Sequence, residues 1–321
     1  MKPKILLTRE VFDEVLAYLD NELEVEANQE DRILSPQELR RRLADKDGVM
    51  CALTDRVDAE LIAACPRLKA VCNIAVGYNN IDVPACSARE IAVTNTPGVL
   101  DETTADLVWA LMLATARRLT EAEAYLRSGQ WTGWYLKQIL GTDVHHAALG
   151  IIGMGRIGQV IARRALGFEM DVIYHNRSRL PTPIEASLNA RYVGMDELLA
   201  RADFVVLQVP YSQATHHLIG AAELAKMKSS AILINAARGG VVDDTALIDA
   251  LGRGVIRAAG LDVFENEPKL NPGFLALQNV VLAPHIGSST RVTRLAMAMT
   301  AARNLVAAMT GKTPPNLVNP R

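Results

Sequence analysis

The chain has 321 residues, half of them hydrophobic, and its 34 basic and 36 acidic side chains give a formal net charge of −2. At roughly 100–200 residues per domain, this length predicts two domains. A near-neutral charge excludes a general attraction for nucleic acid or for an anionic membrane surface. No apolar run is long enough to span a membrane, and the first ten residues lack the apolar core of a signal peptide. We therefore expect a soluble, cytoplasmic protein without nucleic-acid or membrane partners.

The four cysteines, Cys51, Cys65, Cys72 and Cys86, all lie in the first third of the chain. None forms a C-x-x-C pair, and no histidine lies among them, so their spacing does not indicate a zinc site. The sequence predicts four reduced thiols that act as small core residues, and it predicts no metal in the protein.

Short apolar runs alternate with amphipathic stretches in the first hundred residues, which predicts a parallel sheet covered by helices. The predicted strands are 4–8, 23–27, 48–53, 68–74 and 91–95, with helices at 11–20 and 36–43. One long helix is predicted over 102–128, ending before Gly129, and a connecting loop follows it. A second α/β series then begins, with predicted strands at 148–153, 171–176, 203–210, 231–237, 256–263 and 279–285.

The segment LGIIGMGRIGQVIARRA places Gly153, Gly155 and Gly158 in a G-x-G-x-x-G motif between an apolar strand and an amphipathic helix. Such glycines allow a tight turn and close approach of the backbone to a pyrophosphate at the helix N-terminus. The motif predicts dinucleotide binding. Because about 150 residues precede it, they must supply another domain, and a ligand is expected in the crevice between the two units.

The next predicted strand ends at Asn176, followed by Arg177, Ser178 and Arg179. Proteins that bind NAD usually carry an acidic residue here for the adenosine ribose. Two guanidinium groups and a hydroxyl instead suit the 2′-phosphate of NADP. The sequence thus favours NADP(H) over NAD(H), and a solvated basic turn is the alternative interpretation.

Three ionisable residues follow predicted strands of the second unit: Arg238, Glu267 and His285. The carboxyl ends of parallel strands form the site in an open α/β sheet. Arginine can hold the carboxylate of a 2-oxo acid, and histidine can donate a proton when hydride reaches the carbonyl carbon. A carboxylate beside that histidine favours its imidazolium form.

The strings LGIIGMGRIG, NAARGGVVDDTALIDAL, AAGLDVFENEP and APHIGSST resemble the D-isomer-specific 2-hydroxyacid dehydrogenases. NIAVGYNNIDV and the segment 94–119 extend the resemblance over almost the whole chain, and several strings are similar to those of the glyoxylate/hydroxypyruvate reductases within that family. The resemblance implies two Rossmann-like, doubly wound domains with an active-site cleft between them. It also implies reduction of small 2-oxo acids, among them glyoxylate, hydroxypyruvate and 2-ketogluconate.

The resemblance assigns roles to individual residues. Arg238 would hold the substrate, His285 would donate the proton and Glu267 would be its partner. The other residues expected to contact substrate are Leu53, Val76, Gly77 and Ser288. Those expected to contact the cofactor are Gly153, Gly155, Arg156, Ile157, Gly158, Asn176, Arg177, Ser178, Arg179, Pro210, Thr215, Ala236, Ala237, Arg238, Asp262, His285 and Gly287.

The resemblance further implies a discontinuous substrate domain, 1–100 plus 288–321, and a dinucleotide-binding domain, 101–287. A homodimer is expected through residues 102–140, which include Trp131 and Trp134. Two alternatives stay open: a dinucleotide-sensing co-repressor of the same fold, and another dehydrogenase of the family that uses NADH. The absence of a long tail after residue 321 weighs against the co-repressor and against a phosphoglycerate dehydrogenase.

Overall fold

A computed structural model describes residues 1–319 of the chain. The chain divides into two compact units, Met1–Leu100 with Ser288–Arg321 and Asp101–Gly287. Each unit contains one parallel sheet with helices, as the sequence predicts. The last two residues of the predicted substrate domain, 320 and 321, lie outside the described part of the chain.

The first unit contains a sheet of five parallel strands in the order β2-β1-β3-β4-β5. These strands are β1 (Lys4–Leu7), β2 (Glu24–Ala27), β3 (Gly48–Cys51), β4 (Ala70–Asn73) and β5 (Ala92–Thr94). The helices between them are α1 (Asp13–Asp20), α2 (Pro36–Leu43), α3 (Ala59–Ala64) and α4 (Val83–Ala88). The strand order reverses between β1 and β3, so this is a doubly wound sheet.

The C-terminal helix of the described chain completes the core of the first unit. This helix, α12 (Arg291–Met309), contacts β3 and β4. Leu305 on the helix is fully buried among side chains from β1 and β4. The first unit is therefore built from both ends of the chain.

The second unit contains seven parallel strands in the order β8-β7-β6-β9-β10-β11-β12. The strands are β6 (Ala148–Ile152), β7 (Asp171–His175), β8 (Ala190–Tyr192), β9 (Phe204–Leu207), β10 (Ile232–Asn235), β11 (Ala258–Leu261) and β12 (Val280–Leu282). The helices are α5 (Asp101–Ala116), α6 (Leu119–Arg127), α7 (Arg156–Ala165), α8 (Thr182–Ser187), α9 (Met195–Arg201), α10 (Ala221–Leu224) and α11 (Asp244–Gly252). This is the order of the Rossmann fold, extended by one strand, and the order reverses between β6 and β9.

Two sequence-based predictions in this unit are wrong in detail. The single helix predicted over 102–128 is two helices, because Arg118 adopts a left-handed conformation (φ 53°) between α5 and α6. The amide of Thr142, in the loop that follows α6, donates to the carbonyl of Ala116 at the end of α5 (2.8 Å). Strand β8 was not predicted, because three residues at a sheet edge give too short a pattern.

The four cysteines are free and buried, as predicted. Burial raises the pKa of both Cys72 and Cys86 to about 12, which keeps these thiols protonated. No helix within residues 1–319 is long and apolar enough to cross a membrane.

Candidate active site

The glycine motif follows β6, at the point where the strand order of the second unit reverses. Gly153 has φ +103°, and a Cβ there would lie 2.6 Å from the carbonyl group of Gln208. A Cβ on Gly158 would lie 2.4 Å from the Gly153 oxygen, so the close approach of α7 to this loop requires glycine at position 158. Gly155 differs, because a Cβ there would meet no protein atom within 4 Å. The space beside Gly155, at the N-terminus of α7, fits the pyrophosphate of a dinucleotide.

The four residues after β7 do not have equal freedom to bind a phosphate. The Asn176 side chain accepts a hydrogen bond from the Met154 amide (2.7 Å) and so supports the glycine loop. Arg179 donates from Nε and Nη2 to the buried Glu185 at 2.8–3.2 Å. Arg177 and Ser178 are exposed, and no ion pair engages Arg177 within the described residues. Arg177 is therefore the cation best able to meet a ligand.

The other residues expected at the cofactor follow neighbouring strands of the same sheet. Arg156 lies at the start of α7 and forms an ion pair with Asp101 (3.3 Å). After β9, the hydroxyl of Thr215 donates to the carbonyl of Pro210 (2.8 Å) and closes that loop. The remaining expected residues are Ile157 on α7, Ala236 and Ala237 directly after β10, and Gly287 after β12.

His285 and Glu267 lie in loops that follow the adjacent strands β12 and β11. The Nδ1 atom of His285 lies 2.7 Å from Oε2 of Glu267, a hydrogen-bonded ion pair when the imidazole is protonated. The other carboxylate oxygen of Glu267 accepts a hydrogen bond from the Phe264 amide (2.9 Å). Both side chains are about one-third exposed. Since Nδ1 is engaged, Nε2 is the nitrogen through which His285 can transfer a proton.

Asp262 has a role that sequence reasoning did not assign. Its carboxylate accepts hydrogen bonds from the amides of Ile286 (2.7 Å) and Gly287 (2.9 Å), and its carbonyl accepts one from the His285 amide (2.9 Å). These bonds hold His285, whose φ of 55° lies in the left-handed region. Asp262 is thus a positioning residue for the histidine. The sequence signal that could have indicated this role is an aspartate directly after the apolar run of β11.

Arg238 follows β10, the strand adjacent to β11. A Cβ on the next residue, Gly239, would lie 1.9 Å from the carbonyl oxygen of Phe264, so only glycine allows the two loops to pack this closely. The guanidinium donates to the carbonyl of Ala237 (2.7 Å). No carboxylate forms an ion pair with Arg238 in the described part of the chain. The structure therefore brings Arg238, Glu267 and His285 to one edge of one sheet.

The charges of this group depend on one another. Burial lowers the pKa of Arg238, and the negative charge of Glu267 opposes that effect. For Glu267, burial by itself would raise the pKa. The hydrogen bond and charge of His285, the Phe264 amide and the charge of Arg238 outweigh burial and lower it. Glu267 is therefore ionised at neutral pH and stabilises a positive charge on His285.

In the first unit, Val76 and Gly77 form a loop after β4. Their carbonyl oxygens accept hydrogen bonds from the side chains of Asn95 (2.8 Å) and Asn73 (2.7 Å). Within residues 1–319, the amides of Val76 and Gly77 have no hydrogen-bond acceptor. Two successive free amides are available to donate hydrogen bonds to an anion.

Leu53 and Asn80 lie beside this loop. The Asn80 side chain donates to the carbonyls of Ala52 (3.1 Å) and Asp55 (3.0 Å), which links the loop after β3 to the loop after β4. Leu53 lines a groove together with Asn79 and Asn80. Ser288 begins the second segment of this unit.

Comparison with known proteins identifies the family of this chain. The NAD-binding domain of the family described as "D-isomer specific 2-hydroxyacid dehydrogenase" matches residues 109–287. The glyoxylate reductase of Thermococcus onnurineus is 48% identical over 323 residues, which cover 99% of this chain and 96% of that protein. The chain belongs to the D-isomer specific 2-hydroxyacid dehydrogenase family, which confirms the resemblance seen in the sequence. It is an NAD(P)-dependent oxidoreductase.

Solved structures of similar proteins share the fold. The TT0316 protein of Thermus thermophilus is 43% identical, with a TM-score of 0.92 over 98% of this chain and all of that one. The NADPH-dependent glyoxylate/hydroxypyruvate reductase of Sinorhizobium meliloti, solved with NADP and malonate, is 33% identical. Its TM-score is 0.87 over 99% of this chain and 97% of that chain. The fold class predicted from the sequence is thereby confirmed.

The pair of Glu267 and His285 leads to a prediction about pH. Glu267→Gln removes the negative charge that stabilises the protonated imidazole. The alkaline limb of kcat/KM for 2-oxo acid reduction should therefore move to lower pH. Because the pKa of Glu267 is lowered, the wild-type pair keeps its charge into mildly acidic solution. Steady-state kinetics from pH 5 to 10 measures the shift.

The control is Glu197→Gln, the same change at an exposed glutamate that pairs with Arg201 in the same unit. It should leave the limb in place. An unchanged limb in Glu267→Gln would show that the carboxylate does not stabilise the proton donor.

Proposed function

We propose that this protein reduces glyoxylate and hydroxypyruvate to the corresponding 2-hydroxy acids, of D configuration where the product is chiral, with NADPH as the preferred hydride donor. 2-Ketogluconate is a further substrate of the same class. The observation that carries the proposal is a half-buried arginine, Arg238, without a carboxylate partner in the described chain, on a loop next to the His285–Glu267 pair. Relatives named glyoxylate reductase at 46–48% identity support the choice of substrate.

In the proposed mechanism, Arg238 binds the carboxylate and the carbonyl oxygen of the 2-oxo acid through charge-assisted hydrogen bonds. A bound dihydronicotinamide supplies hydride to the carbonyl carbon. His285 donates the proton from Nε2 to the carbonyl oxygen, which completes the 2-hydroxy acid. Glu267 balances the imidazolium charge before transfer, and Asp262 holds the backbone of the histidine.

The first unit is proposed to contribute the free amides of Val76 and Gly77 as hydrogen-bond donors to a substrate carboxylate. Anions bind readily where successive amides lack a protein acceptor. Leu53 and Ser288 are assigned to the substrate on the family resemblance.

The preference for NADPH is proposed to depend mainly on Arg177. Arg179 is held by Glu185, so its guanidinium is partly neutralised before any ligand arrives. Arg177 is exposed and keeps its full charge for a 2′-phosphate, with the hydroxyl of Ser178 next to it.

The protein is further proposed to form a homodimer through α6 and the loop that follows it. Seven large apolar side chains between residues 119 and 140 are 54–77% exposed: Leu119, Leu126, Trp131, Trp134, Tyr135, Leu136 and Leu140. Helix α6 has no buried residue at all. An apolar surface of this kind is typical of an interface between protein chains.

Arg238→Lys tests the substrate site. Lysine keeps the charge but cannot form the planar, two-pronged contact with a carboxylate. We expect kcat/KM for glyoxylate to fall by about a hundredfold or more, roughly 2.7 kcal/mol, while NADPH affinity is retained. The assay is a panel of glyoxylate, hydroxypyruvate and 2-ketogluconate, each with NADPH and NADH. Absence of turnover by the wild-type protein on all three acids would refute the proposed function.

Arg177→Ala and Arg179→Ala test the cofactor proposal against each other. The wild-type ratio of kcat/KM for NADPH over NADH should be tenfold or more, about 1.4 kcal/mol. Arg177→Ala should remove most of this ratio, and Arg179→Ala should reduce it less. Equal use of both cofactors by the wild-type protein would contradict NADPH preference, and a larger effect of Arg179→Ala would contradict the role of Arg177.

Trp134→Glu combined with Leu136→Glu tests the dimer. Burying two carboxylates in an apolar interface is unfavourable, so the variant should be monomeric while the wild type is dimeric. Light scattering after size-exclusion chromatography measures the mass. The control is Leu275→Glu, at an apolar residue of the same unit that is 68% exposed but distant in sequence. A monomeric wild-type protein would exclude the proposal.

A further inference from the structure

Two adjacent histidines and a glutamate meet on the second unit, where the segment after β9 contacts the loop after β11. His216 and His217 lie in the segment after β9, and Glu265 lies in the loop after β11. The Nε2 atom of His217 is 2.6 Å from Oε1 of Glu265. The two imidazole rings are stacked, with centroids 3.9 Å apart. One ligand atom from each of the three side chains lies within 4.8 Å of the other two.

Neighbouring polar groups contact the second ring nitrogen of each histidine and the backbone amide of Glu265. Nδ1 of His217 faces Asp243 at 3.9 Å, within ion-pair range. Nδ1 of His216 lies 3.3 Å from the hydroxyl of Tyr211. The backbone of Glu265 is held by its amide, which donates to Asp244 (3.1 Å). Histidines that bind a metal usually have their second ring nitrogen engaged by a carboxylate, a carbonyl or another polar group, as Tyr211 engages His216 here.

We propose that His216, His217 and Glu265 bind a divalent transition-metal cation, with Zn²⁺ the best match. Two imidazoles, one carboxylate and an open position for water form a common zinc ligand set. Tetrahedral ligand atoms about 2.0–2.2 Å from zinc are about 3.4 Å apart. His216 is exposed, so its ring can move to bring its ligand atom from within 4.8 Å to that separation. Ca²⁺ and Mg²⁺ prefer oxygen ligands and fit the set poorly.

The sequence analysis expects no metal, since local spacing does not reveal a group in which Glu265 lies 48 residues after His217. The proposal departs from that expectation. It does not depend on the substrate or on the preference for NADPH, because it concerns side chains that take no part in the proposed hydride or proton transfer.

The chain contains a matched control of the same composition. His145 and His146 are also adjacent, and Nε2 of His146 lies 2.8 Å from Glu169. Their rings are nearly perpendicular, and their Nδ1 atoms face each other at 2.8 Å. Within residues 1–319, only the group at His216 brings three such ligand atoms within 4.8 Å of one another.

The test uses the untagged, full-length protein after treatment with EDTA and removal of the chelator. Titration calorimetry with ZnCl₂ should give one Zn²⁺ per chain, with a Kd of about 10 µM or tighter. His216→Asn and Glu265→Gln should each weaken binding tenfold or more. The double variant His145→Asn, His146→Asn should bind like the wild type. Co²⁺ titrated into the wild-type protein should give the visible absorption of a four-coordinate site.

His216 is exposed, so its replacement should not impair folding. Thermal unfolding without metal verifies this, and added Zn²⁺ should raise Tm in the wild type but not in His216→Asn. Three results would each overturn the proposal: no zinc binding tighter than about 100 µM, unchanged binding in His216→Asn, or loss of binding only in the double variant.

Discussion

The candidate catalytic group depends on one buried carboxylate, that of Asp262. It lies directly after β11 and accepts hydrogen bonds from the amides of Ile286 and Gly287. These bonds attach the loop after β12 to the end of β11. This attachment keeps His285 in a left-handed conformation that an unsupported histidine would avoid. Glu267 lies in the loop that Asp262 begins, and its Oε2 atom is 2.7 Å from Nδ1 of His285.

The second constraint is electrostatic. Arg238 and Glu267 carry opposite charges on adjacent loops, and each affects the ionisation of the other. Burial opposes the charge of both groups, yet the guanidinium has no carboxylate ion partner in the described chain. An anionic substrate would supply the missing charge, because a buried cation is stabilised by a carboxylate that brings its own hydrogen-bond acceptors. Substrate binding and charge neutralisation are then the same event.

Close steric contacts at two glycines also fix the positions of the loops. Gly239 allows the Arg238 loop to touch the carbonyl of Phe264, and Gly158 allows α7 to approach the loop after β6. In both cases a single Cβ would overlap a backbone oxygen. Gly155 is different, because a Cβ there would point into open space and meet no protein atom within 4 Å. The structure thus separates glycines that the fold requires from the one that leaves room for a ligand.

Much of this architecture could be read from the chain alone. Alternating apolar and amphipathic segments predict two parallel sheets, because burial on both faces gives uninterrupted apolar strands. Arg238, Glu267 and His285 were predicted as site residues because each follows such a strand, and the carboxyl edge of a parallel sheet is where a site is expected. Strand β8 and the break at Arg118 escaped prediction, since three edge residues and one left-handed residue leave no periodic signal.

The sequence by itself determined which residues follow the strands, and hence which side chains lie at the carboxyl edge of the sheet. Only the tertiary structure decided how those side chains are partnered. Arg177 and Arg179 look equivalent in the chain, but Glu185 engages only Arg179. Asp262 supports the histidine loop, and Glu265 meets His217 from 48 residues away. Partnerships of this kind depend on distances between separate loops, which local sequence patterns do not contain.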